Sequence, residues 1–202
     1  HVREDRRHIN ERDLGEIINV INIPVNLEIA ANSEMIKIAK KLKPSSICFV
    51  PEKRQEITTE GGLDVIKNYD NLKKSIKMLS NTDINIALFI DPDKDQLVAT
   101  NKLGIKTIEF HTGSYANAFA KKINVENELN KMRESTAFAK NIGLNCHAGH
   151  GLTFENVSSI VSIKDIVELN IGHFIIANSI FNGLANSILK MREIISIAAK
   201  WL

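Results

Sequence analysis

Short apolar runs closed by ionisable or glycine residues recur along this chain. Leu27-Glu28, Phe49-Val50-Pro51-Glu52, Leu88-Phe89-Ile90-Asp91, Ile108-Glu109-Phe110-His111, Ala148-Gly149-His150-Gly151 and Leu169-Asn170-Ile171-Gly172-His173 each end a hydrophobic segment this way. Such runs of apolar and β-branched residues read as buried strands. The spacing predicts strands over 24–30, 46–50, 84–91, 107–111, 144–148 and 166–171. A helix is expected over 33–43, capped by Ser33, with Met35, Ile36, Ile38, Ala39 and Leu42 at helical spacing. Further helices are expected over 71–80 and over 93–103, the latter stopped by Gly104. An amphipathic region over 116–142 is interrupted near Asn124 and ended by Gly143. Thr153 is expected to cap a helix running to about Val161, and 174–202 reads as helical with a break at Asn182-Gly183.

Strand–helix alternation with short connections implies a parallel sheet. His1-Val2-Arg3 reads as the tail of a strand whose beginning is absent, and the chain carries no initiator methionine, so residues are expected before His1. Six strands plus this stub give the strand ends of an eight-stranded barrel without its first strand. The expectation is therefore an α/β fold, a TIM (β/α)8 barrel with extra helices forming a single domain over 1–202. An open doubly wound sheet is the competing architecture, but it gathers its ligand groups at one switch point. Here nearly every strand end carries such a group. In a barrel those ends share one rim, which makes the chain an enzyme candidate with its acidic and imidazole groups around a common mouth.

Composition narrows the field. The 202 residues suffice for one domain with a sizeable core; 44% are hydrophobic, 25% charged, and the net charge is +2. No basic face dominates, which argues against nucleic acid as a partner. Apolar stretches stop well short of a membrane span or signal peptide. Cys48 and Cys146 fall inside expected strands without the paired spacing of a zinc site, and read as core residues of a cytoplasmic protein.

The candidate chemistry lies at the strand ends. Gly149-His150-Gly151 places glycines around a histidine ahead of a helix, and Gly172-His173 repeats the device one strand later. Glycine admits close backbone approach, a helix N-terminus favours anions, and the last two loops of β/α barrels often hold phosphate. His1-Val2-Arg3-Glu4-Asp5-Arg6-Arg7-His8 offers groups that fork onto phosphate, or equally a solvated loop with internal ion pairs. Glu28 and Glu109 sit in apolar strands, where a carboxylate is either functional or held in a structural ion pair. A barrel interior would raise their pKa and suit them to proton transfer. His1, His150 and His173 are acid–base candidates. Glu52 and Asp91 read as loop or cap residues. His111 and His147 lack metal-ligand spacing, so no metal is expected.

Taken together, His-Val-Arg-Glu-Asp-Arg-Arg-His (1–8), Asn-Leu-Glu (26–28), the sixteen residues from Val50 to Val65, Leu-Phe-Ile-Asp (88–91), Ile-Glu-Phe-His-Thr-Gly (108–113), Ala-Gly-His-Gly-Leu-Thr (148–153) and Glu-Leu-Asn-Ile-Gly-His (168–173) closely resemble the pyridoxine 5'-phosphate synthase family. The resemblance implies a TIM barrel assembled as a homo-octamer. It implies the ring-closing condensation of 1-deoxy-D-xylulose 5-phosphate with 3-amino-2-oxopropyl phosphate to pyridoxine 5'-phosphate, inorganic phosphate and water, with no cofactor. By motif position, His1 and Glu28 match the family's general bases, His150 its general acid, and Glu109 a carboxylate that stabilises transition states. Arg3, His8 and Thr58 match contacts to the deoxyxylulose phosphate; Gly151, Gly172 and His173 match contacts to the aminoketone phosphate.

Two departures stand out. The family's first strand, with its Asn-x-Asp-His motif and following arginine loop, has no counterpart, and His147 stands where the family often has asparagine. The rival enzyme reading is another phosphate-handling barrel, an aldolase or isomerase, though a Schiff-base aldolase wants a lysine at a strand end. A non-catalytic phosphate binder predicts loss of the Glu28, Glu109 and His150 set, which is intact.

Overall fold

The structure is a computed structural model that describes residues 1–52 and 61–200. Its strands form one six-stranded sheet in the order β1-β2-β3-β4-β5-β6, with helices between successive strands. This is the alternating β/α arrangement expected from the apolar runs. By its contacts the chain divides into two compact units, His1–Asp91 with Asp95–Ile108, and Pro92–Lys94 with Glu109–Leu202.

In the first unit, α1 (Glu11–Val20) precedes β1 (Asn26–Ile29), α2 (Ser33–Leu42), β2 (Ser46–Phe49), α3 (Tyr69–Leu79), β3 (Asn85–Ile90) and α4 (Lys94–Lys102), whose first residue belongs to the second unit. The strands pair in parallel, with Glu28 opposite Cys48 and Cys48 opposite Ala87. Side chains alternate along a strand. Leu27, Ile29, Ile47, Phe49, Leu88 and Ile90 are therefore buried on one face. Cys48, Val50, Ala87 and Phe89 cluster on the other, the face that carries Glu28. The stub His1-Val2-Arg3 is not a strand, yet the Val2 N–H donates to the Glu28 carbonyl (3.3 Å) and Val2 is fully buried.

Local chemistry explains the helix starts and corrects some expectations. The apolar pattern predicts no helix over α1, which begins in a capping box: Asn10 accepts from the Arg12 and Asp13 N–H groups, and Asp13 reaches back to the Asn10 N–H. Asn32, not the expected Ser33, caps α2, accepting from the Met35 N–H (2.9 Å). That helix buries Met35, Ile36 and Ala39 and stops at Lys43, whose φ of 51° leaves the helical region.

The second unit begins within β4 (Thr107–His111) and continues through α5 (Gly113–Lys121), α6 (Val125–Asn141), β5 (Asn145–Gly149), α7 (Val157–Val161), β6 (Ile166–Asn170), α8 (His173–Asn182) and α9 (Leu184–Ala199). The interruption expected near Asn124 falls at 122–124, where Lys122 and Asn124 both have positive φ. The break at Gly183 is likewise where expected. Thr153 accepts the Glu155 N–H on its hydroxyl (3.2 Å) at the head of turns over 154–156, and α7 itself starts only after Asn156, whose side chain bonds back to the Thr153 N–H. Cys48 and Cys146 are free and buried, and burial, with the charge of Asp165, pushes the Cys146 thiol up to about 11. Among the described residues no helix is long and apolar enough to cross a membrane.

Candidate active site

The first unit holds a histidine bracketed by carboxylates. Glu28 projects from β1, and its Oε2 lies 3.3 Å from His1 Nδ1. Glu52, just past β2, places Oε1 2.8 Å from His1 Nε2. Burial pushes the imidazole down, but hydrogen bonds and charge from Glu28 and Glu52 outweigh it and raise His1 from 6.5 to about 9. His1 is therefore a cation at neutral pH. Burial raises Glu52, but His1 and the Glu4 N–H more than offset this and hold its carboxyl below the usual carboxylate range.

The loop carrying His1 is itself tied down. The Glu4 N–H donates to Glu52 Oε2 (3.0 Å), and Asn32 donates to the Glu4 carboxylate. Arg6 bridges Glu11 and Glu34 at 2.7 and 2.5 Å, and Arg7 pairs with Asp5 at 2.5 Å. Much of the basic opening segment is thus committed to internal ion pairs, the bland alternative for a charge-rich run. Arg3 is the exception in burial, at 4% exposure, with Nε 3.6 Å from Asp5. His8 is exposed on the same loop. Thr58 lies outside the described residues.

The second unit holds a separate acid–base set. Glu109 and His111 are two apart on β4 and share a face; both are buried. Glu109 Oε2 accepts from the Asn170 side-chain amide on β6 (2.7 Å). Gly149 sits against this pair: a Cβ there would collide with Glu109 Oε1 and come within 2.7 Å of the Asn170 carbonyl. Only a hydrogen fits, which is the close approach glycine was expected to allow.

His150 follows with φ of 81°, a conformation non-glycine residues rarely adopt. Its backbone is held by Thr112, whose hydroxyl lies 2.8 Å from the Gly149 carbonyl and 2.5 Å from the His150 carbonyl. The His150 ring meets that of His111 at 4.9 Å. Gly151 continues the turn at φ 75°. Asn156 closes it by donating to the Gly151 carbonyl (3.1 Å) and accepting from the Thr153 N–H (2.8 Å), and the buried Tyr115 hydroxyl donates to the Asn156 carbonyl (2.7 Å). Gly172 and His173 are exposed at the start of α8.

His147 faces the same side of β5 as Gly149, in register with Glu168, at 3.3 Å. Burial lowers the His147 pKa, opposed by the Glu168 charge. Among the described residues no three His, Cys, Asp or Glu side chains group so as to hold a metal ion.

The structure thus brings His1 to Glu28, and places Glu109 and the His150 turn together in the other unit. Sequence reasoning missed Glu52, Asn170, Thr112 and Asn156 as site residues. Thr112 had one signal, since it directly follows the strand expected over 107–111.

Parallel β/α architecture with acid–base side chains at and just beyond the C-terminal ends of its strands defines the class of β/α-barrel enzymes. Solved structures agree on the fold. A 3-keto-L-gulonate-6-phosphate decarboxylase from Vibrio cholerae superimposes with a TM-score of 0.56 at 16% identity, over 92% of this chain and 78% of that one. A flavocytochrome b2 variant gives 0.62 at 13% identity, over 93% and 53%. Sequence is more specific: residues 1–197 match the family model described as pyridoxal phosphate biosynthesis protein PdxJ, and the chain belongs to that family. Relatives named pyridoxine 5'-phosphate synthase include one from Sulfurihydrogenibium sp., 52% identical over 99% of this chain and 83% of its own length. Another, from Zymomonas mobilis, is 46% identical over 98% and 77%.

Proposed function

We propose that this chain catalyses pyridoxine 5'-phosphate synthesis by condensing 1-deoxy-D-xylulose 5-phosphate with 3-amino-2-oxopropyl phosphate. Membership of the PdxJ family and the named relatives support the reading. The observation that carries it furthest is the direct His1–Glu28 pair, 3.3 Å apart, at the two positions the family uses as bases. Ring closure requires protons to be taken from carbon by a base, hydroxyl to leave as water after protonation by a general acid, and phosphate to leave as the inorganic anion.

In the resting protein His1 holds its proton, so it enters the cycle as a donor and serves as a base only after giving that proton up. Glu28 is the neighbouring acceptor. The His150 ring, set by its left-handed turn, supplies the acid for a departing group. Glu109, oriented by Asn170, stabilises positive charge developing at nitrogen as an imine forms. Arg3, His8 and Thr58 hold the deoxyxylulose phosphate. Gly151, Gly172 and His173 hold the aminoketone phosphate, through N–H groups at the turn and at the start of α8. The working form is a cytoplasmic homo-octamer that uses no metal or organic cofactor.

The test is direct. Full-length protein incubated with the two acyclic phosphates is expected to release pyridoxine 5'-phosphate and inorganic phosphate in equal amounts, read by mass spectrometry and a phosphate assay. Absence of the pyridine product overturns the proposal.

A further inference from the structure

Glu52 reads from sequence as a loop carboxylate, yet its side chain is only 4% exposed and both oxygens are engaged. Oε1 meets His1 Nε2 at 2.8 Å, and Oε2 accepts the Glu4 N–H at 3.0 Å. We propose that Glu52 is a positioning residue: it fixes the His1 ring, keeps a proton on Nε2 throughout the cycle, and so makes Nδ1, facing Glu28, the nitrogen that exchanges its proton.

The two imidazole nitrogens are not equivalent. The contact to Glu52 is shorter than that to Glu28 (2.8 against 3.3 Å), and Glu52 is far drier than Glu28, whose side chain is 37% exposed. A short charge-assisted hydrogen bond shielded from water is the stronger of two. When the imidazolium loses one proton, the loss therefore falls on Nδ1, leaving neutral His1 with N–H at Nε2. The proton passes from Nδ1 to the Glu28 carboxylate or to substrate, and returns to Nδ1 by the same route. A carboxylate that orients a histidine and selects its tautomer is a recurrent device where imidazole shuttles protons.

The second oxygen serves the same end. The Glu4 N–H binds Glu52, and Asn32 at the cap of α2 binds the Glu4 side chain, so the loop that carries His1 is anchored to the same carboxylate that holds the ring. Among the described residues, the charged groups around His1 are Glu28 from β1 and Glu52 beyond β2, with Arg3 and Arg7 on its own loop acting on Glu52.

The inference rests on the proposed synthase reading for its catalytic meaning, but not for its test. In full-length protein with labelled histidine, the His1 resonances, assigned with His1→Asn, are followed from pH 5 to 10.5 by nitrogen-detected NMR. Wild-type His1 is expected to titrate near 9 and to carry its proton on Nε2 above that pH. Glu52→Gln keeps the shape but not the charge. It should move the titration toward 6.5 and mix the tautomers. Its kcat should fall by about 10- to 100-fold, in the range of a lost acid–base orientation, with each KM within about threefold. Glu52→Asp should restore part of both effects. It also stands in should Glu52→Gln fail to fold, with the same downward shift of His1 expected. A wild-type His1 that titrates near 6.5, or a Nδ1–H tautomer, or an unchanged His1 titration in Glu52→Gln, overturns the inference. If the wild type makes no pyridoxine 5'-phosphate, the function fails while the titration still decides the role of Glu52.

Discussion

At the scale of single residues, the second acid–base set depends on side chains that never need touch a substrate. Glu109 is 3% exposed and takes a 2.7 Å hydrogen bond from Asn170, which helps orient its carboxylate. Asn170→Ala removes that hydrogen bond to a buried carboxylate, at about 1.5–3 kcal/mol. We expect kcat/KM to fall by about 10- to 100-fold, measured by steady-state product formation. His150→Ala differs in kind. The turn that presents His150 is held by Thr112 and Asn156 through backbone atoms, so it survives loss of the ring. Ring closure should stop while calorimetry still detects binding of the aminoketone phosphate. Wild-type turnover in His150→Ala would remove its acid role.

At the scale of elements, one substitution should act with opposite signs at two glycines. In β5, a methyl at Gly149 meets Glu109 and the Asn170 carbonyl, neither of which can retreat without breaking the Glu109–Asn170 bond. Gly149→Ala should cost about 1–3 kcal/mol of overpacking, a drop of roughly 3–10 °C in Tm, and most activity. In α1, the Cβ of Gly15→Ala would sit 3.7 Å from Leu42 Cδ2, an ordinary contact, within a helix interior. There the exchange should stabilise by about 0.5–1 kcal/mol. Thermal melts of both variants check the pair. These elements also show what the chain disclosed beforehand. Strands were legible because each is an apolar run closed by a charged or glycine residue, a signal carried by neighbours in sequence. α1 was not, because Leu14 is its only buried residue and Gly15 interrupts its pattern; only Asn10 and Asp13, spaced as a capping box, marked its start. The cap of α2 was misjudged because Asn32 and Ser33 adjoin its start, and only geometry shows that Asn32 turns inward. Glu52 and Asn170 were illegible for a different reason. Their partners lie 51 and 61 residues away, and nothing local distinguishes a carboxylate that will meet a histidine from one that will meet water.

At the scale of the whole molecule, the His1 cluster should be visible in how stability depends on pH. His1 titrates near 9 when folded against 6.5 when unfolded, so its proton favours the folded state. That contribution is complete below about 6.5 and is lost as pH rises through about 9. The shift corresponds to roughly 2–3 kcal/mol once the partial exposure of Glu28 is allowed for. Glu52 works in the opposite sense: its carboxyl is depressed, so its contribution is present above the ordinary carboxylate range and fades as pH falls below it. Both describe one interaction and are not to be added. Full-length protein should therefore melt highest between about pH 5 and 6.5, and lose roughly 4–10 °C of Tm by pH 9.5. Other groups also titrate over that interval, so the decisive quantity is the difference between wild type and His1→Asn, melted side by side. That difference should shrink steadily from pH 6 to 9.5. A constant gap would mean that His1 carries no extra proton in the folded state, and that the carboxylates on either side of it are held apart from the ring in solution.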